Sequence, residues 1–301
     1  QFPKCYQDLD PDLVLVLGDR FEIFSAVSSA LVSRIPVAHI HGGETTEGSF
    51  DEAFRHSITK MSHLHFTSTE QHKTRVIQLG EDPDRVFNVG APGVENIRKL
   101  QLLSKKEVEK HIGINLRERN LLVTFHPETL NTSVTPNQQF ENLLTVLSEL
   151  EGTTIIFTKA NADTGGIVIN KLIDHYVGQN TSNAVVHSSL GQLKYLSLLK
   201  YVDGVVGNSS SGLIEVPSFH TATINIGDRQ KGRIKAKSII DCDTSVDSIR
   251  SGLLQLYQPN FQESIQSIDN PYDGGDTSQK IINIIKKYSL DNLLKKQFYD
   301  I

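Results

Sequence analysis

Small, hydroxyl-bearing residues fill segment 207–212, whose sequence is GNSSSG, between an apolar run and the start of a predicted helix. A strand that turns into a helix through such residues presents unpaired backbone N–H groups and the positive end of the helix dipole. Such turns bind anions, usually phosphate. Ser209 and Ser210 are candidate phosphate ligands, and Glu215 can accept the hydroxyls of a ribose. The segment predicts a nucleotide-diphosphate pocket; the alternative is an ordinary turn in which the serines only cap the helix.

A second set of candidate residues is titratable and follows two predicted strands near the start of the chain. Asp19 and Arg20 come directly after the first strand, and His41 and Glu44 come after the second. The carboxyl ends of parallel strands meet at one crevice, where ligands bind. Carboxylates that share a crevice raise one another's pKa, so that one of them can act as a general acid at neutral pH. Arg20 can instead hold Asp19 ionised.

The predicted helix over residues 51–61 adds two pairs of polar side chains. Asp51 and Arg55 are four residues apart, as are Glu52 and His56, so each pair shares one face of the helix. These residues are candidates for the same crevice. The alternative is that both are ordinary ion pairs on a solvated helix face.

Two His-x-His patterns raise the question of a metal. His39 and His41 point to one face of a strand, and His63 and His65 repeat the spacing. With carboxylates nearby, this pattern admits a metal-dependent hydrolase. Histidines at strand ends are more often hydrogen-bonded structural residues, so we predict no metal.

The second half of the chain carries further polar residues after its predicted strands. His126, Asn161 and Arg229 each follow a separate strand. Arginine suits a diphosphate because it can pair with two of its oxygens, and His126 can contact a phosphate or a leaving group. We expect these side chains to converge on the crevice that holds Ser209.

Ten short apolar runs must position these residues, and their continuous hydrophobicity is typical of parallel strands that are covered on both faces. They are Leu13–Leu17, Val37–Ile40, His65–Thr67, Val86–Val89, Leu121–Phe125, Thr154–Thr158, Ala184–His187, Val202–Val206, Ala222–Ile226 and Ser238–Asp241. Helical segments lie between them. This alternation predicts an α/β fold with doubly wound sheets.

A charged segment near residues 100–119 separates the two series of strands. We therefore predict a Rossmann-like domain over residues 1–104, a nucleotide-binding one over 105–275, and a terminal helix in 276–301 that packs back toward the first. That helix is expected to span Thr277–Lys295. Because the first series has four strands where such folds usually have about six, we expect the first domain to be incomplete at its start.

Composition narrows the classes of function. The 301 residues carry a net charge of −5, which argues against a nucleic-acid surface. The chain has only two cysteines, Cys5 and Cys242, and no C-x-x-C motif, so neither disulfides nor thiolate zinc sites are expected and a reducing compartment is favoured. No apolar run approaches the roughly 20 residues that span a bilayer. We expect a cytoplasmic homo-oligomer, a dimer or a tetramer, that binds neither membrane nor nucleic acid.

Taken together, these segments resemble the hydrolysing UDP-N-acetylglucosamine 2-epimerases. The resemblance rests on segments 18–22 (GDRFE), 39–44 (HIHGGE), 51–60 (DEAFRHSITK), 207–212 (GNSSSG) and 270–275 (NPYDGG). It covers essentially the whole chain, in order. It implies a GT-B-like pair of Rossmann-like domains with the active site in the interdomain cleft, and it implies no cofactor.

The resemblance also assigns roles to residues. Asp19 and Asp51 match catalytic carboxylates, and some relatives have Glu in place of His41, so the third catalytic group is either His41 or Glu44. The positions that match UDP contacts are Arg20, His126, Asn161, Ser209, Ser210, Glu215 and Arg229. Of these, His126 is counted with the catalytic residues. Glu52, Arg55 and His56 are further candidates for binding substrate. The family's first strand, with its phosphate-binding Arg and Lys, would lie upstream of Gln1.

The implied reaction releases UDP from a UDP-sugar with inversion at C2, as in sialic-acid-type pathways. The substrate is UDP-N-acetylglucosamine or its 2,4-diacetamido-6-deoxy relative, and the route is elimination to a 2-acetamidoglucal followed by addition of water. Two other classes stay open, a GT-B glycosyltransferase and a non-catalytic sugar-nucleotide-binding protein.

Overall fold

The computed structural model of the protein describes residues 1–45, 51–127, 134–160 and 165–301. The chain forms two compact units, one from residues 1–96 with 272–301 and one from residues 97–271. The boundaries expected from the sequence, after residues 104 and 275, lie eight and four residues beyond these limits. Among the helices that the structure describes, none is long and apolar enough to cross a membrane.

The first unit is built on a parallel sheet of four strands in the order β1-β2-β3-β4. The strands are β1 (Val14–Leu17), β2 (Val37–Ile40), β3 (Leu64–Thr67) and β4 (Val86–Asn88). Since β2 and β3 are buried along their whole length, both of their faces must be apolar or internally hydrogen-bonded. Within this sheet, β1 is an edge strand, and Leu15 and Leu17 on it are about half exposed.

Five helices belong to the first series, and the last of them ends within the second unit, which begins at Ile97. They are α1 (Phe2–Leu9), α2 (Phe21–Val32), α3 (Asp51–Met61), α4 (Glu70–Gln78) and α5 (Pro92–Lys99). On α3 the buried residues are Arg55, Ile58 and Thr59, which share one face because they are spaced by three and four. That face carries a charged side chain toward the sheet together with an apolar one.

The second unit contains a parallel sheet of six strands in the order β10-β9-β8-β5-β6-β7. The strands are β5 (Arg119–Thr124), β6 (Thr153–Thr158), β7 (Ala184–His187), β8 (Gly204–Gly207), β9 (Ala222–Ile226) and β10 (Ile239–Cys242). The chain runs outward from β5 in one direction and from β8 in the other, so the strand order reverses between them. Doubly wound sheets bind ligands at this reversal, outside the carboxyl ends of the strands.

Helices cover both faces of the second sheet, with one apolar cluster on each face. They are α6 (Lys105–Ile112), α7 (Pro136–Ser148), α8 (Gly166–Gln179), α9 (Gly191–Leu199), α10 (Ser211–Ile214), α11 (Val246–Leu256) and α12 (Pro259–Ser264). The charged segment in which we placed the domain boundary contains α6, which begins with a capping box between Ser104 and Glu107.

The end of the chain returns to the first unit. Gly274 packs against the main chain of Val89 so closely that a Cβ at this position would collide with it. Helix α13 (Thr277–Lys287) follows, and Ile281 joins the apolar cluster formed by β2, β3 and β4. The turn at 270–275 therefore requires glycine where the two backbones meet.

All ten strands predicted from the sequence are present, with ends that differ by at most two residues. The terminal helix was predicted too long, since α13 ends at Lys287 and not at Lys295. Tyr288 leaves the helix in an extended conformation, and its ring packs edge-on against Phe87. Leu290 and Leu293 still reach the core, which is why the apolar pattern continues past the end of the helix.

Candidate active-site residues

A buried arginine organises the acidic residues at the strand ends of the first unit. Arg55, on α3, is 3% exposed and forms an ion pair with Asp19, which follows β1. It also donates to the main-chain oxygen of His41 at 3.0 Å, and its Nη1 lies 3.9 Å from Oε2 of Glu44. The sequence therefore correctly predicts that these residues meet at the carboxyl ends of β1 and β2.

Two of the sequence-based interpretations concern the ion pairs near Asp19. Arg20 forms an exposed ion pair with the neighbouring Glu22 at 3.2 Å, and the buried Arg55 is a partner of Asp19 that the sequence did not indicate. Because Arg55 is buried, it is not part of a solvated surface pair with Asp51. The second pair on α3 does form, with His56 Nε2 at 3.0 Å from Glu52 Oε1.

His41 and Glu44 form a second pair beside Arg55. The Nδ1 atom of His41 contacts Oε1 of Glu44, and the side chains are 13% and 2% exposed. His41 has a φ of 70°, which is uncommon for a residue other than glycine and holds the ring in this turn. When Nδ1–H donates to the carboxylate, Nε2 is left as an acceptor, the arrangement of a general base.

The other three histidines of the His-x-His patterns have structural partners. His39 is fully buried, with Nε2 at 2.9 Å from the Gly18 oxygen and Nδ1 at 3.2 Å from Thr59 Oγ1. Burial lowers the pKa of His39 to about 3, so its ring is neutral and donates to Gly18. His63 accepts from Val37 N at 3.2 Å.

His65 lies 2.9 Å from the buried carboxylate of Glu81. In the described part of the chain, no three His, Cys, Asp or Glu side chains lie close enough together to hold a metal ion.

In the second unit, Asn208 ties three strand ends together at the reversal of strand order. Its side chain accepts from His126 N at 2.7 Å and donates to His126 O at 2.8 Å, so the ends of β5 and β8 are fixed to each other. Its main-chain oxygen accepts from Arg229 Nη1 at 2.9 Å and from Gln230 Nε2 at 2.8 Å, both after β9. Asn208 and Gln230 are fully buried.

Sequence reasoning missed Asn208 and Gln230 as positioning residues. The available signal was the place of Asn208 at the start of the GNSSSG segment, directly after a buried strand, where an uncharged amide must find partners.

The serine segment differs from the prediction in its helix. Helix α10 has only four residues and gives way to a 3₁₀ turn at Val216–Phe219, so a long helix dipole is not available to an anion. The segment can still offer individual N–H groups, since those of Ser209 and Ser210 donate to no main-chain oxygen among the described residues. The N–H of Leu213 already donates to the Ser210 oxygen at 3.0 Å.

Glu215 follows α10 and is partly buried. Burial, and then the charge of Glu215, raise the pKa of Tyr195, whose hydroxyl contacts Ser211 Oγ. Asn270 supports this region from the carboxyl-terminal side, donating to the Ile214 oxygen and to Ser218 Oγ, both at 2.7 Å. Asn161, also predicted to bind substrate, lies outside the described residues.

Comparison with known proteins decides the family. The family model described as UDP-N-acetylglucosamine 2-epimerase matches residues 1–286. The chain belongs to this family. The family and the enzyme class predicted from the sequence are thereby confirmed.

Two relatives of this epimerase family match nearly the whole chain. The protein named GDP/UDP-N,N'-diacetylbacillosamine 2-epimerase (hydrolyzing), from Campylobacter jejuni, is 42% identical over 301 residues, covering 100% of this chain and 78% of the relative. The polysialic acid biosynthesis protein P7 of Escherichia coli is 46% identical over 292 residues, covering 96% of this chain and 74% of the relative.

A solved epimerase shares the fold at lower identity. The UDP-N-acetylglucosamine 2-epimerase from Neisseria meningitidis, determined with UDP-N-acetylglucosamine bound, superposes with a TM-score of 0.81 at 19% identity, covering 95% of this chain and 79% of that one. The predicted fold class, two Rossmann-like domains of the GT-B-like type, is confirmed by this likeness and by the two parallel sheets.

Proposed function

We propose that this protein is a hydrolysing 2-epimerase that releases UDP from a UDP-2-acetamido sugar and inverts the sugar at C2. The observation that carries the proposal is the 42% identity, over the whole chain, to a relative named as such an enzyme. The paired acid and base groups at the ends of β1 and β2 supply the chemistry that this reaction requires.

The reaction needs a base and a site for a departing diphosphate. The C2–H bond of an N-acetylhexosamine is not acidic, so its proton leaves only as the C1–O bond to UDP breaks. The C2–H electron pair forms the C1–C2 double bond of a 2-acetamidoglucal, and UDP takes the electrons of the C1–O bond. Water then adds its oxygen to C1, and a proton returns to C2 on the opposite face.

We assign the proton transfers to residues of the first unit. His41 presents Nε2 as a base while the more deeply buried Glu44 orients its ring, which makes His41 the third catalytic group and Glu44 its partner. The ion pair with Arg55 holds the carboxyl group of Asp19 at the end of β1. Asp51 is assigned to the second proton transfer.

We assign the diphosphate to residues of the second unit. The N–H groups of Ser209 and Ser210 and the guanidinium of Arg229 are suited to developing negative charge on the leaving group. Asn208 holds the Arg229 side chain and the turn before Ser209 in place. His126 is assigned to the leaving oxygen.

The names of the relatives also indicate which sugar the substrate carries. A Campylobacter jejuni relative at 42% identity and a Legionella pneumophila relative at 34% are both named for N,N'-diacetylbacillosamine. The relative at 46% is named for polysialic acid biosynthesis. We propose a 2-acetamido sugar that carries either a hydroxyl or an acetamido group at C4, used in a sialic-acid-type pathway by a cytoplasmic homo-oligomer.

Incubation with each UDP-sugar and no acceptor tests the proposal. An epimerase releases UDP together with a free manno-configured sugar, and the faster of the two substrates identifies the preferred sugar. A glycosyltransferase would release UDP only with an acceptor, and a binding protein would release none. Absence of UDP release from both sugars would overturn the proposed function.

A further inference from the structure

The His41–Glu44 pair continues into a buried chain of hydrogen bonds. Ser68 Oγ donates to Oε1 of Glu44 at 2.8 Å, and it lies 2.9 Å from Nδ1 of His72. Ser68 is 2% exposed and His72 is fully buried. The ring of Tyr272 packs on His72 with centroids 6.1 Å apart. Four polar side chains are thus connected in one row inside the first unit.

The direction of each bond in this row follows from the groups involved. A carboxylate only accepts, so Ser68 gives its single hydroxyl proton to Glu44. The same oxygen then accepts from His72, which requires the proton of the His72 ring to be on Nδ1. Glu44 Oε1 therefore receives one hydrogen bond from Ser68 and one from His41 Nδ1.

Helix α4 also holds the main chain of the 41–45 loop. Arg75 Nη1 donates to the Gly43 oxygen at 2.5 Å. Gly43 has a φ of 78°, and a Cβ there would collide with the His72 oxygen. Thr69 caps α4 by accepting from His72 N at 3.2 Å, which places His72 in the first turn beside the loop.

We propose that Ser68 and His72 are positioning residues that hold Glu44 so that the His41 ring keeps its proton on Nδ1 and its Nε2 available to substrate. The proposal deepens the function proposed above and rests on it. Without Ser68 and His72, Glu44 Oε1 loses a donor and can rotate away from His41. A histidine that is no longer held in one tautomer is a poorer base, although the substrate still binds.

Turnover measurements on four variants test this positioning. Ser68→Ala and His72→Leu are expected to lower kcat about ten- to a hundredfold, the usual effect of removing a partner behind a reacting group, while KM changes less than about threefold. His72→Asn is expected to recover most of the activity, since its amide N–H lies close to the position of Nδ1. Ser62→Ala is the matched control, because Ser62 is also fully buried and donates only to the Ile58 oxygen at 2.8 Å.

A purely structural role predicts a different result. In that case Ser68→Ala and Ser62→Ala lower the melting temperature and kcat to a similar extent, and His72→Asn recovers no more activity than His72→Leu. Either outcome would overturn the proposal. A Ser68→Ala protein with wild-type kcat would do so as well.

Nitrogen-15 NMR of histidine side chains measures the tautomer of the His41 ring in the absence of substrate. The His41 signal, assigned with a His41→Gln variant, is expected to show a proton fixed on Nδ1 in the wild type and a mixture of tautomers in Ser68→Ala. If the tautomers behave as expected but neither sugar gives UDP release, the positioning role of Ser68 is supported and the proposed function is wrong. A His41 tautomer that is unchanged in Ser68→Ala would contradict the positioning whatever the activity.

Discussion

Buried charge is unusual unless it is paired, and Arg55 illustrates how pairing is achieved here. Its guanidinium reaches Asp19, Glu44 and the His41 main chain from one position on α3. Breaking a buried ion pair by removing one partner typically costs about 3–5 kcal/mol, because the other charge is left uncompensated. The acidic residues at the strand ends and the arginine beneath them therefore form one electrostatic group, in which each member restricts the others.

Asp19→Asn is expected to lower turnover by about two orders of magnitude or more, the scale of acid–base groups. Asparagine keeps the shape of the side chain but removes the charge that Arg55 neutralises, so the melting temperature should fall as well. Steady-state kinetics and thermal melts of the purified variant measure both effects. Asp8→Asn, on the exposed face of α1, is the control. A variant within a few-fold of wild-type turnover would remove Asp19 from the mechanism.

Elements of the structure are joined near the site by single buried side chains. His39 joins β2 to the turn after β1 and to α3, and Asn208 joins the ends of β5, β8 and β9. Such residues do not touch the reacting atoms in the roles proposed here. They fix the separation of strand ends, and so they determine where the loop residues stand.

Asn208→Ala is expected to weaken UDP binding in addition to lowering the stability of the fold. The change leaves the N–H and the oxygen of His126 without their partner and releases the turn before Ser209. Asn120→Ala is the matched control, because Asn120 makes the same two bonds to Arg117, at 2.9 and 3.0 Å, at the other end of β5.

Calorimetric titration with UDP and urea denaturation separate the two effects of this change. Both variants should lose about 1–3 kcal/mol of stability, the cost of leaving buried polar groups unpaired, but only Asn208→Ala should lose UDP affinity by tenfold or more, corresponding to about 1.4 kcal/mol. Equal affinity in the two variants would argue against a role for Asn208 in the pocket.

Buried histidines are expected to make the protein less stable in mild acid. Burial lowers the pKa of His39 to about 3 and that of His63 to about 4, whereas histidine in an unfolded chain titrates near about 6.5. Below that pH the unfolded chain binds protons that the folded protein does not, so the free energy of unfolding falls as pH drops from about 6.5 toward 4.

Urea denaturation between pH 7.5 and 4.5 measures this dependence. His39→Asn should be less stable at pH 7.5 but should show a shallower slope, reduced by up to about 1.4 kcal/mol per pH unit, because one titrating group is gone. Parallel curves for the two proteins would mean that His39 is not the source of the slope.

On the scale of the whole molecule, two parallel sheets each bring loop residues to the carboxyl ends of their strands. Under the proposed function, the acid–base groups are assigned to the first sheet, and the N–H groups and an arginine to the second. Two predictions concern the overall reaction: the source of the hydrogen at C2 of the product, and whether activity requires a metal.

Solvent deuterium is expected to appear at C2 of the product. The elimination route loses the original proton to a protein base and takes a new one from groups that exchange with solvent. Mass spectrometry and proton NMR of the free sugar formed in D₂O measure the incorporation, with product incubated without protein as the control. Complete retention of the original hydrogen would rule out the glucal route.

Activity is expected to be independent of added metal. His39, His63 and His65 already have protein partners, and His41 is paired with Glu44, so recruiting them to a metal would break existing hydrogen bonds. Turnover after dialysis against a chelator should stay within about twofold of the untreated protein, which corresponds to less than about 0.5 kcal/mol. Loss of activity that added zinc restores would contradict the prediction.

The sequence by itself determined the class of fold and the general location of the candidate residues. Continuous apolar runs give parallel strands because burial on both faces leaves no room for alternation. Once the strands are parallel, residues after them, such as Asp19 and His41, must gather at one edge of a sheet. These conclusions need only local pattern, and they are the ones that the structure bears out most closely.

Tertiary structure alone decided which of those residues are partners. Arg55 meets Asp19 across 36 positions of sequence, and Asn208 meets His126 across 82. Such pairs depend on which strands are neighbours and on how each helix is rotated about its axis. From the sequence alone, the spacing of four residues within α3 made Asp51 an equally good partner for Arg55. The row from His41 through Glu44 and Ser68 to His72 likewise exists only because α4 packs beside the loop after β2.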